Sequence, residues 1–406
     1  MFPETRTCQN CKKSFEIAPE DFVFYEKIGV PEPTWCHECK LVRRLTWRNE
    51  RALYKRSCDL CKKDTVTIYH PSTPYVVYCL ACWWGDGWDS YSFGKEIDFS
   101  RPFFDQFKEL AHTVPRPPLI NRQSVDSDYC NFSLSNKSTY LSFASHYNEE
   151  SGYLTYSARN KNSFDGLHVF DSEYVGESNY GSRLSRSAYL QYSFDSMNCI
   201  LGYDLRNCSY CFGCTNLRNA KYQIWNKQVS KEEYERQVRE YTKDYASFFK
   251  ARQQFDELKS QTIHPSSFTR KAEGCTGNDI EESKNCIQCF STRGSEDCKY
   301  LYVNGAQVYS SMELNNIGYD KSELLYDCQG ITGSSNLRFC DGSWMNSFST
   351  YCNLCFSSNN LFGCVGLKGG EYSILNKRYS KEEYEALVPR LIEHMKSTGE
   401  WGNFFP

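Results

Sequence analysis

The sequence predicts a mainly β protein with capping helices, in which two N-terminal fingers of treble-clef or ribbon type precede a duplicated β-solenoid (parallel β-helix-like) region. Three observations predict it. Eight cysteines, Cys8, Cys11, Cys36, Cys39, Cys58, Cys61, Cys79 and Cys82, stand as four CxxC pairs ahead of residue 95. From Tyr129 onward a small residue or Asn recurrently precedes an aromatic, as in Ser138-Thr139-Tyr140, Ser151-Gly152-Tyr153 and Asn162-Ser163-Phe164. Residues 210–235 align without gaps on 360–385, with 14 identities in 26 positions.

The cysteine pairs come first. A structural zinc ion takes four thiolates in a tetrahedron, and CxxC supplies two of them from one turn, so two pairs make a site. Pairing in sequence order gives Cys8/Cys11 with Cys36/Cys39 and Cys58/Cys61 with Cys79/Cys82, hence two structural Zn2+; an interleaved cross-brace uses the same ligands. The stretch between Cys11 and Cys36, with Phe15, Phe22, Phe24 and Tyr25, is long enough for a hairpin, and Leu41 to Arg48 after Cys39 has a helical pattern. Thr65–Tyr69 and Tyr75–Tyr78 read as two short strands split by Pro71 and Pro74. His37 and His70 are surplus to two complete sites. The same spacings do not tell zinc from iron.

The segment CQNCKKSFEIAPEDFVFYEKIGVPEPTWCHECKLVRR resembles the treble-clef zinc-binding domains found in many uncharacterised bacterial proteins, with Phe15, Phe24, Tyr25, Lys27, Gly29, Pro33, Arg43 and Arg44 in the matching places. The second finger, the aromatic repeats and the TGEW-FFP ending resemble large hypothetical proteins of uncultured bacterial lineages. The resemblance covers nearly the whole chain, implies zinc binding and supplies no activity. It also implies a further C-terminal segment beyond Phe404-Phe405-Pro406.

Next, Phe103, Phe104, Phe107, Leu110 and Ala111 at helical spacing predict a short helix, ended by Pro115, Pro117 and Pro118. The aromatics that follow recur every 10 to 15 residues. Each unit holds one short strand and one turn, so two units are expected to form one coil, with Asn or Ser satisfying the turn backbone. Ser230-Lys231-Glu232-Glu233 is a capping box, opening a helix with Tyr234, Val238, Tyr241, Tyr245 and Phe248 on one face to about residue 260. The duplicate box at Ser380 opens a second helix, which Pro389 should kink or stop. The expected divisions are 1–56, treble-clef finger; 57–95, second zinc ribbon or treble clef; 96–127, helix and Pro-rich linker; 128–227, first repeat lobe; 228–262, capping helix; 273–377, second repeat lobe; and 378–406, C-terminal helix and tail.

The fourteen later cysteines are irregular, although Cys286/Cys289/Cys298 and Cys352/Cys355/Cys364 share one spacing and Cys208, Cys211 and Cys214 resemble part of a ferredoxin run that lacks its fourth Cys. Small buried residues repeating with the coils account for them, with metal binding as the other reading.

Lys40, Arg43, Arg44, Arg48, Arg51, Lys55 and Arg56, with Trp47 and Tyr54 among them, form the densest basic stretch. Cations that neutralise phosphates beside aromatics that stack on bases suit RNA or the ribosome; a solvated helix face with Trp47 packed between the fingers is the plainer reading. Trp83-Trp84-Gly85-Asp86-Gly87-Trp88 either packs a finger on its neighbour or forms a protein-interaction hot spot.

With 47 basic and 50 acidic residues the net charge is −3, so the whole chain directs no nucleic-acid or membrane contact. Met1 to Phe15 lacks the pattern of a secretory signal, and no apolar run approaches a membrane span. A cytoplasmic location follows, with 22 cysteines kept reduced; a secreted disulfide framework is the alternative. No phosphate loop, dinucleotide fingerprint or nucleophile elbow is present. Asp165, Asp171, Asp195 and Asp204 are the acids a carbohydrate-active solenoid enzyme would draw on, but turn aspartates explain them equally. The reading is a non-enzymatic zinc-binding adaptor without a small-molecule substrate, contacting RNA or the ribosome, or else serving as a protein scaffold.

Overall fold

The computed structural model describes residues 2–304, 308–309, 322–323, 327 and 346–403. These are mainly β, and the chain divides into two compact units, Met1–Pro118 with Thr269–Pro406, and Leu119–Phe268.

The first unit opens with β1 (Glu4–Thr7) and β2 (Ser14–Ile17), an antiparallel hairpin. The stretch after it, expected as a hairpin, is instead helix α1 (Pro19–Ile28): Pro19 starts it, the Asp21 carboxylate accepts from the Ala18 amide at 3.0 Å, and Gly29 at φ 68° closes it. α2 (His37–Thr46) follows, then a second hairpin of β3 (Tyr54–Ser57) and β4 (Asp64–Thr67). Of the two short strands expected at 65–69 and 75–78, the first forms as β4 and the second is reduced to a single bridge at Val77. β4 pairs backwards with β3, and Val77 bridges to Arg116. α3 (Leu80–Trp84) and α4 (Phe103–Thr113) complete this part. Pro102 precedes α4 and cannot cap it with a side chain. The Glu400 carboxylate does so instead, accepting from Phe103 N at 2.9 Å and Phe104 N at 2.7 Å.

The second unit is built on a strict count. β5 (Asn121–Arg122) pairs in parallel with β6 (Ser133–Leu134), twelve residues on. β7 (Gly152–Thr155), β8 (Phe164–Phe170), β9 (Glu173–Ser182), β10 (Ser185–Gln191), β11 (Ile200–Tyr203), β12 (Ser209–Thr215) and β13 (Lys221–Ile224) continue this register, Gly152 opposite Phe164 and Ser209 opposite Lys221. They form one sheet that β14 (Lys227–Gln228) ends antiparallel. The chain therefore meets itself after one repeat unit, not two. The cause is local: from Gln123 to Asn219 every third residue has positive φ, as at Tyr153, Tyr156, Arg159 and Asn162, so the backbone bends every three residues.

The residues between those bends point inward. In the early rungs they are polar: Ser142, Ser145, Asn148, Ser151, Ser157 and Asn160 are all buried. Each side chain satisfies backbone that bending leaves unpaired. Ser142 Oγ donates to the Tyr140 carbonyl at 3.1 Å and accepts from Leu154 N at 3.1 Å. Asn136, Asn148 and Asn160 stack one rung apart; Asn148 Oδ1 accepts from Asn160 N at 3.1 Å and from Asn160 Nδ2 at 3.0 Å. In later rungs the interior becomes mixed, with Val169, Val175, Leu184, Leu190, Leu205 and buried cysteines alternating with buried serines such as Ser172, Ser178, Ser187 and Ser193.

One column of bends carries aromatic rings. Tyr156, His168, Tyr180 and Tyr192 stack at 5.3, 4.8 and 4.9 Å, and Phe268 closes the column at 3.7 Å. Burial holds the His168 imidazole down at about 4. An unfolded chain takes up that proton near pH 6.5 while the folded one does not until about 4, so this site's stabilising balance is intact above pH 6.5 and is lost progressively as the pH falls towards 4. At about pH 5 the loss is about 2 kcal/mol. His168→Phe is therefore expected to gain about 2 kcal/mol over the parent between pH 7.5 and 5. Parallel urea titrations at the two pH values measure this, and equal acid sensitivity of the two proteins refutes it.

The predicted single helix after Ser230 is two. α5 (Lys231–Thr242) ends because Asp244 caps a new helix, α6 (Tyr245–Ser260), by accepting from Ser247 N at 2.7 Å. α6 packs on β11 and β12, and α5 on β13. Tyr234, Ala251 and Phe255 bury there against Leu201, Phe212 and Ile224.

Returning to the first unit, β15 (Thr269–Arg270), β16 (Gly277–Glu281), β17 (Cys289–Arg293) and β18 (Tyr302–Asn304) pair in parallel, Gly277 opposite Cys289. β19 (Val308–Tyr309) pairs with β20 (Ser322–Glu323) fourteen residues on, and β21 (Asn359–Phe362) with β22 (Glu371–Ile374) twelve residues on, before antiparallel β23 (Lys377–Arg378). α7 (Lys381–Ser397) runs through Pro389 without stopping. Glu385, whose carbonyl loses its partner there, is exposed, so water replaces the missing donor. The core of this unit gathers Phe103, Phe107, Leu110, Tyr351, Phe362 and Leu391.

Candidate metal centres

Each hairpin delivers a cysteine pair to the start of a helix. After β1, the turn from Cys8 is closed by Cys8 N to the Lys13 carbonyl at 2.9 Å and Lys12 N to the Cys8 carbonyl at 3.0 Å, with Lys12 at φ 63°. After β3, Cys58, Lys62 and Lys63 repeat this at 2.8 and 2.9 Å, again with φ 63° at Lys62. Cys36 and Cys79 are the N-cap residues of α2 and α3, so Cys39 and Cys82 fall in the first helical turn, on the same side. The two sites are one motif built twice.

The sulfurs of Cys8, Cys11, Cys36 and Cys39 lie within 4.8 Å of one another, and so do those of Cys58, Cys61, Cys79 and Cys82. The sequential grouping is the one the chain adopts. A Zn–S bond of ~2.3 Å implies tetrahedral edges of ~3.8 Å. Cys11 Sγ to Cys36 Sγ and Cys61 Sγ to Cys79 Sγ are each 3.8 Å. The donor set thus fits a tetrahedral, thiolate-binding metal ion.

Hydrogen bonds prepare the sulfurs. Cys8 Sγ accepts from Cys36 N at 3.3 Å and Cys58 Sγ from Cys79 N at 3.2 Å, while Asn10 Nδ2 donates to Cys39 Sγ at 3.3 Å. Burial raises the Cys8 and Cys58 thiols, but these backbone donors outweigh it and bring both down to about 6. Cys36 is pushed up to about 12, chiefly by burial, and Cys82 to about 12 by hydrogen bonding with Cys79 and Cys61. Metal binding by such a cluster releases the protons its thiols still carry.

His37 and His70 stand outside both clusters. His37 stacks on Tyr300 at 4.3 Å, and His70 Nδ1 bonds Ser72 Oγ at 2.7 Å.

The basic stretch is largely consumed inside the chain. Lys40 and Arg44 are buried, and Arg44 pairs with the buried Asp327. Arg43 reaches the same carboxylate at 2.7 Å and lies over Trp35 at 4.8 Å. Burial works against the Asp327 charge, yet Arg44, Lys40 and Arg43 hold its carboxyl below the ordinary range. Arg48 pairs with Glu50 at 3.0 Å, Arg56 donates to the Tyr75 carbonyl at 2.7 Å, and Trp47 packs against the core. Arg51 and Lys55 remain exposed. No continuous cationic face forms from Lys40, Arg43, Arg44, Arg48, Arg51, Lys55 and Arg56.

Trp83 is fully buried, donates to the Pro115 carbonyl at 3.0 Å and meets Phe356 at 5.4 Å; Lys368 lies over Trp83 and Trp88. Trp83 and Trp88 are thus packed within the chain, while Trp84 is 37% exposed. Among the sequence's candidate acids, Asp171, Asp195 and Asp204 pair with Arg159, Arg183 and Arg218, and Asp165 is exposed on another rung; all four have positive φ, as turn residues do. The later cysteines take the place of the inward serines: Cys199 Sγ donates to the Met197 carbonyl at 3.3 Å and Cys286 Sγ to Lys284 at 3.4 Å. Sequence reasoning missed Asp327 and Glu400, whose partners lie nearly 300 residues away along the chain, where no local signal reaches.

No family model matches this chain, and no curated protein does. Among solved structures it is similar, at 11% identity and a TM-score of 0.13, to a "putative acetyltransferase" from Desulfovibrio desulfuricans G20, over 54% of this chain. The match spans 63% of that structure's length.

Proposed function

We propose that this protein is a non-enzymatic cytoplasmic scaffold in which two treble-clef fingers, each closed by one structural Zn2+, are joined to a duplicated β-solenoid whose outer faces bind protein partners. The observation that carries it is the pair of congruent four-sulfur clusters with the 3.8 Å edges of a zinc tetrahedron. The knuckle, hairpin and helix start at each cluster support the treble-clef reading, as do the features shared with the bacterial zinc-domain proteins that the first finger resembles. The twelve-residue parallel register supports the solenoid. Free thiols throughout the described cysteines suit a reducing compartment, and no described helix is long and apolar enough to cross a membrane.

Engagement of Lys40, Arg43, Arg44 and Arg48 within the chain favours a protein partner over RNA or the ribosome. Elemental analysis of natively purified protein is expected to give two zinc equivalents per chain, and fewer than two metal equivalents removes the basis of the reading. A native pulldown is expected to recover protein without RNA. RNA that co-purifies and is released by salt would put nucleic-acid binding in its place.

A further inference from the structure

Within Leu119–Phe268 one face is half covered. At its C-terminal end Tyr189, Ile200, Phe212 and Trp225 pack beneath α5 and α6. On the same face, in the two neighbouring columns that Tyr189 and Ile200 continue, Tyr129, Tyr140, Tyr153 and Phe164 towards the N-terminus are 37%, 45%, 50% and 46% exposed. They form a continuous ridge, Tyr129 meeting Tyr140 edge-to-face at 5.6 Å and Tyr140 meeting Tyr153 at 5.8 Å. Asp165 and Glu177, the next bends in the column of Tyr153 and Tyr189, are exposed acids beside it. A contiguous bare aromatic surface of this kind marks an interaction site.

The covered half shows what this face accepts. α6 sets Phe248 on Tyr189 at 5.1 Å and Arg252 over the same ring at 5.5 Å, an aromatic and a cation one helical turn apart. The outer side of α6 carries a second such set: Tyr245, 81% exposed, stacks with Phe249, 46% exposed, beside exposed Lys250. One unit therefore presents a bare aromatic–acidic ridge and, on the same face, a bare aromatic–basic helix edge.

We propose that the ridge is the docking site for α6 of a second copy of this chain. Tyr245 and Phe249 of one protomer lie on Tyr140, Tyr153 and Phe164 of its partner, with Lys250 towards Asp165 and Glu177. Because each copy carries both surfaces, a two-fold axis forms both contacts at once and closes the assembly at a dimer.

Sedimentation of the full chain over a wide concentration range tests this, using Phe249→Asp and Tyr153→Asp. Asp165 occupies the equivalent bend one rung on, so Tyr153→Asp is compatible with that backbone. The wild type is expected to dimerise, and each variant to raise the dimer Kd about tenfold or more. Mixing the two variants pairs an intact α6 with an intact ridge, so the mixture should associate more tightly than either variant alone. A monomeric wild type, association indifferent to both substitutions, or no recovery on mixing each overturns the proposal.

Discussion

Cys36→Ser is expected to reduce bound zinc from two equivalents to one and to unfold the first finger. Cys36 is buried, caps α2 and donates its amide to Cys8 Sγ, so one substitution removes a ligand and loosens the helix that carries Cys39. A serine hydroxyl stays protonated where a thiol ionises, leaving three donors. Structural zinc contributes on the order of 10–16 kcal/mol in small fingers, more than many domains have in total. The outcome is local unfolding, read as proteolysis between β1 and α2, with the second site keeping its metal. Cys199→Ser is the matched control: serine can make the same bond to the Met197 carbonyl, so metal content should not change. Two equivalents retained by Cys36→Ser would refute the role assigned to that thiol.

Asn148→Leu is expected to cost about 3 kcal/mol although the side chains are similar in size. Asn148 bonds Asn136 Oδ1 on the rung before, accepts twice from Asn160 on the rung after, and donates to the Ser157 carbonyl. Leucine leaves the buried Asn160 amide without its acceptor, at ~1–3 kcal/mol, and strips one bond each from Asn160 Nδ2, Asn136 Oδ1 and the Ser157 carbonyl, which keep their other partners. Asn148→Ser is the milder change, because Ser172 follows Asn160 in the same column and a serine oxygen there accepts from Leu184 N at 3.0 Å. Urea midpoints at unchanged slope measure both. A leucine variant as stable as the serine one would mean that the asparagine column does not hold the rungs in register.

The two four-sulfur clusters were legible because CxxC is a local signal: two residues of spacing determine where both sulfurs go. The N-caps were legible for the same reason: Ser230 accepts from Glu233 N at 3.1 Å without the return bond of a full box, whereas Ser380 and Glu383 exchange both bonds at 3.2 and 2.8 Å. The twelve-residue register was not. Aromatics repeating at 10 to 15 residues blurred it, and the inward column mixes Ser, Asn, Cys, Val and Leu, which no single hydrophobic pattern unites. The signal was nevertheless present in Tyr156, His168, Tyr180 and Tyr192, at constant spacing. The surroundings of the basic stretch were not legible because charge counts say nothing of partners: Asp327, remote in sequence, takes Arg43 and Arg44 out of solvent.

The hydroxyl-and-amide interior of the early rungs also bears on thermal behaviour. Opening those rungs hydrates polar rather than oily surface, and polar hydration lowers the heat capacity that apolar exposure raises. Their contribution to stability therefore changes less steeply between cold and warm conditions than that of the Leu- and Val-bearing rungs beyond Val169. A single strand stack thus has one end buffered against chilling and another that weakens as the solvent cools.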